Sequence, residues 1–158
     1  MIREHPAGFV ADDDVSRIDL DVVHGFLRTA YWSPGVPREV VARAIANSVV
    51  VGVYAPDGAQ VGFARATTDR ATFAWIGDVF VLPSHQGQGL GRFVVETLLD
   101  HPDLQGLRRT MLATADAHEL YRSYGFEDLP DPSRFLVIQR PAASLYGAVS
   151  ESAPAERA

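Results

Sequence analysis

No cysteine occurs among the 158 residues. That absence excludes disulfide staples, thiolate metal sites and any covalent mechanism through a thiol nucleophile. Basic residues are also in deficit, 14 against 20 acidic ones, and the resulting net charge of −6 argues against nucleic acid as the main partner. No apolar stretch approaches the roughly 20 residues of a membrane span, and the N-terminus lacks the apolar core of a signal peptide. The expectation is a cytoplasmic protein with no membrane partner. With 47% hydrophobic and 22% charged residues, a chain of this length makes one globular domain with a sizeable core.

What is present centres on one stretch. Ile76-Gly77-Asp78-Val79-Phe80-Val81-Leu82-Pro83 reads as a strand, Ser84 to Arg92 as a glycine-rich loop, and Phe93, Val94 and Leu98 as the apolar face of a helix. Glycines at 87, 89 and 91 permit positive φ and bring backbone N–H groups to a helix N-terminus, an arrangement suited to phosphate. The spacing sorts the phosphate ligands. Gly91-Arg92-Phe93 lacks the Lys-Ser/Thr of a nucleotide P-loop, and the every-second-residue glycines do not fit the dinucleotide fingerprint.

The pattern that does fit is Q-x-x-G-x-G, Gln86 to Gly91. It resembles the pyrophosphate loop of the GNAT acyltransferase superfamily, and Leu120-Tyr121-Arg122-Ser123-Tyr124-Gly125-Phe126 is similar to that family's L-Y-x-x-x-G-F helix end. The two motifs stand in the family's order and spacing, and the resemblance covers roughly Asp19 to Gln139. It implies an α/β (α+β) fold: a mixed, mostly antiparallel sheet of six to seven strands, flanked by about four helices, whose parallel fourth and fifth strands splay apart.

Taken in order, the residues predict a first strand at Phe9-Val10-Ala11 and a helix capped by Asp19 with Leu20, Val23, Phe26 and Leu27 on one face. A second helix is predicted to have Pro37 at its first position. Val49 to Ala55 and Val61 to Thr67 form a hairpin signal around Pro56-Asp57-Gly58, and the next strand runs Thr72 to Leu82. Arg109 to Ala113 is the fifth strand. Asp116 and Glu119 suggest a capping box for a helix that Gly125 closes, and Phe135 to Ile138 is the last strand. The domain is expected to span 1–141, with 142–158 a tail that is mobile or docked on a partner.

The resemblance implies acetyl-CoA as co-substrate and no metal. Its diphosphate would meet the amides of Gly87, Gln88, Gly89, Leu90 and Gly91 together with Gln86 and Arg92, and its pantetheine arm the backbone of Val79, Phe80 and Val81. Tyr121 occupies the position of the family's proton-donating tyrosine; the alternative is a core tyrosine. Asp78, a carboxylate in an apolar strand, is a candidate base or else a structural partner of Arg65. His24 and His118 are weaker candidates. The early helices would wall the acceptor site, making Arg28, Tyr31, Trp32, Arg65 and Asp78 the candidate substrate-binding residues. The implied function is transfer of acetyl from acetyl-CoA to a primary amine of a small molecule by direct attack in a ternary complex. The competing reading is an acyl-CoA-binding sensor or interaction module without turnover. A homodimer is compatible with both.

Overall fold

The computed structural model describes residues 1–146; the part of the expected tail at 147–158 lies outside them. Six strands form one open sheet in sequential order: β1 (Ile2–Glu4), β2 (Val10–Asp12), β3 (Val49–Tyr54), β4 (Gln60–Thr68), β5 (Phe73–Val81) and β6 (Arg109–Met111). All neighbours pair antiparallel except β5 and β6. The predicted fourth and fifth strands are therefore β5 and β6, because β1 gives no strand signal in the sequence. Its three residues alternate exposed and partly buried, too short a pattern to register.

Helices α1 (Leu20–Leu27) and α2 (Arg38–Ala46) cover one face of the sheet, and α3 (Leu90–Leu99) and α4 (His118–Arg122) the other. A short α5 (Ala142–Tyr146) lies in the segment expected to be tail. Both faces of the central strands are covered, so β3 is buried at all six positions instead of alternating. Val51, Val53, Phe63 and Leu98 are shut off from solvent, each such side chain contributing about 1.5–3 kcal/mol of burial. No helix among the described residues is long and apolar enough to cross a membrane.

Asp19 caps α1 as expected, its carboxylate accepting from the Asp21 and Val22 amides at 2.9 and 3.2 Å. Three expectations are corrected. Pro37 is the N-cap of α2 and not its first helical residue. The capping box fails: Ala117 occupies the N-cap of α4, its amide donates to the Thr114 hydroxyl at 3.1 Å, and Asp116 lies one residue outside. Phe135 to Ile138 forms no strand, and Leu136, Val137 and Ile138 are 98%, 79% and 91% exposed. Apolar β-branched residues satisfy strand propensity, but here no neighbouring strand pairs with their backbone.

Two buried phenols make stability pH-dependent. Desolvation is the main cause for both Tyr54 and Tyr121, and each is pushed up to about 12. The folded chain thus favours their neutral forms. Their contribution is intact below pH ~10, where tyrosines of an unfolded chain begin to ionise, and is lost as the pH rises toward 12. Urea midpoints measured from pH 8 to 11.5 should fall above pH 10, and the fall should shrink in a Tyr54→Phe, Tyr121→Phe double variant.

Candidate active site

The site begins where the sheet opens. β5 and β6 pair only at Phe73–Arg109, Ala74–Thr110 and Trp75–Met111. Beyond these three rungs the chains diverge, and Ile76 to Val79 on one side face Leu112 to Ala117 on the other across a cavity of about 480 Å³. Its remaining lining is Tyr31, Trp32, Arg65, Trp75 and Tyr121. Past Trp75, no strand among the described residues pairs with this edge of β5.

A bulge shapes the β5 wall. Phe63 pairs with Phe80 and Arg65 with Gly77, so Ala64 stands opposite two residues. Asp78 absorbs the extra residue at φ 54, a conformation uncommon outside glycine but tolerated by Asp and Asn. Both of its carboxylate oxygens accept: Arg65 Nε donates to Oδ2 at 2.6 Å and Trp32 Nε1 to Oδ1 at 3.1 Å. Of the two readings of Asp78, the partnership with Arg65 is present in the structure, and each carboxylate oxygen keeps a further lone pair beyond the bond it accepts. Arg65 also donates to Thr67 Oγ1 and Ser48 Oγ at 3.0 and 3.3 Å, which leaves it paired within the protein.

Breaking this half-buried pair should destabilise the fold. Asp78→Asn, which keeps the acceptor for Trp32 and tolerates positive φ, should cost about 1–2 kcal/mol. Asp78→Ala should cost roughly 1 kcal/mol more through the left-handed backbone. Urea denaturation of both variants measures the difference.

The α1–α2 loop supplies the aromatic wall. Ser33 Oγ donates to the Leu27 carbonyl at 2.8 Å, and Gly35, at φ 73, donates its amide to the Arg28 carbonyl at 2.8 Å. This tight fold presents Tyr31 and Trp32 edge to face with centroids 4.9 Å apart. Tyr31 Oη accepts from the Ala115 amide at 3.2 Å, so its ring straps the α1 side of the cleft to the β6 side. Arg28, by contrast, is exposed at the α1 C-cap and does not line the cavity. The cleft is lined by the loop residues that follow it.

Tyr121 lines the same cavity as Val79, 8% exposed, with its ring edge against Phe126. Burial, reinforced by the negative charge of Asp116 and by Tyr31, keeps its phenol protonated. Tyr124 packs beside it and donates to the Arg92 carbonyl at 3.3 Å. His24 bonds to the Val36 carbonyl at 3.1 Å, away from the cleft, and His118 is exposed.

The glycine loop follows β5 through a 3₁₀ turn, Pro83–His85. Gly87 and Gly89 adopt φ 76 and 80, and Gly89 is the N-cap of the ten-residue α3, with no side chain bonded to the helix end. Among the described residues no acceptor meets the amides of Gly87, Gln88, Gly89, Leu90, Gly91 or Arg92; the first satisfied one is Phe93, at 3.1 Å from the Gly89 carbonyl. A Cβ at Gly87 or Gly91 would meet nothing within 4 Å. Six unsatisfied donors around open space fit a diphosphate. Gln86 Nε2 is committed to the Val81 carbonyl at 3.1 Å, and Leu90 is buried, so it can offer only its amide. Arg92 is exposed and reaches Ser123 Oγ at 3.3 Å. Phe80 and Val81 are buried in the core, Phe80 stacked 4.0 Å from Phe26, and can contribute only backbone.

Sequence reasoning missed Trp75 and the segment from Leu112 to Ala117. Trp75 carried a usable signal, being an aromatic on the strand that leads into the loop. The β6–α4 segment carried none beyond its position.

The sheet is thus parted at its one parallel pair, with unsatisfied amides at the start of α3 and a buried tyrosine lining the gap. The profile of the GNAT acetyltransferase domain matches residues 46–128, and the chain belongs to this family. A crystal structure of a GNAT-family protein from Xanthomonas campestris pv. campestris is 42% identical, superposes with a TM-score of 0.84, and covers 89% of this chain and 97% of its own. A Gibberella zeae protein named as an acetyltransferase is 29% identical over 76% of this chain and 80% of its own length. The serotonin N-acetyltransferase 2 of Oryza sativa subsp. japonica is 36% identical over 79% of this chain and 66% of its own.

Proposed function

We propose that the chain acetylates a primary amine of a small molecule, using acetyl-CoA, by direct attack within a ternary complex. The observation that carries this reading is a cavity lined by both Val79 and Tyr121, on a strand that runs directly into a loop of six unsatisfied amides. Bound acetyl-CoA supplies an acyl carbon activated by its thioester and a thiolate leaving group. The amides from Gly87 to Arg92 hold the diphosphate, and the unpaired β5 edge beyond Trp75 receives the pantetheine amides as a further strand would. Main-chain donors near Val79 stabilise charge developing on the thioester oxygen. As the amine nitrogen bonds to the acyl carbon and the carbon–sulfur bond breaks, Tyr121 gives its proton to the departing sulfur, and the amine's proton leaves to water. Absence of a thiol nucleophile favours this direct route over a covalent one.

An aromatic-walled cleft of about 480 Å³ suits a small acceptor, and the rice relative is named for a small amine. The test is a thermal-shift comparison of CoA, acetyl-CoA and ATP, followed by an amine panel with free-thiol detection. Both CoA species should raise the melting temperature and ATP should not. The chain contains no lysine and no cysteine, so acetylated side-chain amine and free thiol in the assay come from the added compounds. Tight CoA binding with no amine-dependent thiol release would replace the enzyme reading with that of a binding module.

A further inference from the structure

One carboxylate in the cleft has no partner. Asp78 is neutralised by Arg65, but Asp116 forms no hydrogen bond or ion pair among the described residues, although it lines the cavity. Its sequence position suggested a helix cap, and the structure assigns that place to Ala117. It directly follows Ala115, whose amide holds the Tyr31 strap, and stands close enough to Tyr121 to disfavour ionisation of the phenol. The cleft therefore holds one uncompensated negative charge among three aromatic side chains that remain substantially exposed: Tyr31 at 62%, Trp32 at 41% and Trp75 at 38%.

Resting on the acetyl-transfer reading, we propose that Asp116 is the positioning residue that draws in the acceptor's ammonium group, and that the acceptor is an arylalkylamine whose ring lies among Tyr31, Trp32 and Trp75. A lone carboxylate favours a cationic amine over one with a carboxylate beside it, because the second negative charge would be repelled at close range. Aromatic faces add dispersion and cation–π attraction for the ring and for the arriving ammonium. The ammonium must lose a proton before attack, so Asp116 raises occupancy without itself forming the new bond. Its loss should appear in KM more than in kcat.

The experiment compares 2-phenylethylamine with phenylalanine as acceptors for the wild-type chain, Asp116→Asn and Asp116→Glu. Asp116 is exposed and unbonded, so the folded state of Asp116→Asn should be intact, which CoA-induced thermal shift checks independently of turnover. Wild type should prefer the amine. In Asp116→Asn the KM for 2-phenylethylamine should rise about fivefold, kcat should stay within about twofold, and the preference over phenylalanine should narrow by a similar factor. Asp116→Glu should restore part of both. An unchanged KM and preference in Asp116→Asn, with wild-type turnover intact, overturns the role of Asp116 alone. Failure of wild type to turn over 2-phenylethylamine while it acetylates other small amines overturns the acceptor class. Failure on every amine, with CoA binding retained, overturns the acetyl-transfer reading itself and this proposal with it.

Discussion

Gly91→Glu should reduce CoA affinity about 100-fold or more while raising the melting temperature of the free protein. The two effects have opposite sign because they arise from different parts of the same residue. Gly91 is the second residue of α3, is not among the glycines at positive φ, and has no atom within 4 Å of the position a Cβ would take. Glutamate exceeds glycine in helix propensity by roughly 0.5–1 kcal/mol, and a negative charge in the first turn complements the helix dipole. On the proposed reading the same charge would stand beside the free amides from Gly87 to Arg92 that take the diphosphate, replacing attraction with repulsion and occupying the open space. Calorimetric titration with CoA and a thermal melt of the free variant measure both arms. Undiminished CoA affinity would remove the loop from the binding site.

The second large effect is at Tyr121. Tyr121→Phe should lower kcat about 100-fold with CoA affinity changed by less than about twofold, the scale of losing a positioned general acid. The ring is 8% exposed and held edge-on by Phe126 at 5.8 Å, contacts that phenylalanine keeps. Because burial pushes the phenol up to about 12, the proton to be donated remains in place through neutral and mildly alkaline pH, and no alkaline loss of rate below pH ~10 should trace to this residue. Rapid-quench kinetics with saturating acetyl-CoA isolate the chemical step. An unaltered rate there assigns Tyr121 to packing.

The parts of the site that were legible in the sequence are those whose chemistry is local. Gly87 and Gly89 are needed for the loop's own backbone, and both adopt positive φ. The hairpin around Gly58 and the cap at Asp19 are local in the same way, and both form. What the sequence hid depends on distant partners. The Asp78 pairing with Arg65 was one of two readings open in the sequence, but its second partner, Trp32, lies 46 residues away and only the fold shows it. Asp116 and Glu119 matched a cap at the right spacing, but the chain turns into α4 one residue later, so the carboxylate falls in the cleft. Phe135 to Ile138 had strand composition, and composition cannot reveal whether an edge is there to receive it.

The three rungs between β5 and β6 have a mechanical corollary. The segment from β6 onward, which carries Tyr121 and Asp116, joins the sheet through a very short zipper, helped by contacts such as those from Ser123 and Tyr124 to Arg92. On the proposed reading, a cofactor arm lying along the bare β5 edge would act as mortar between the two walls, so the loaded enzyme would be a more cohesive solid than the empty one, assembled in part from its own reactant.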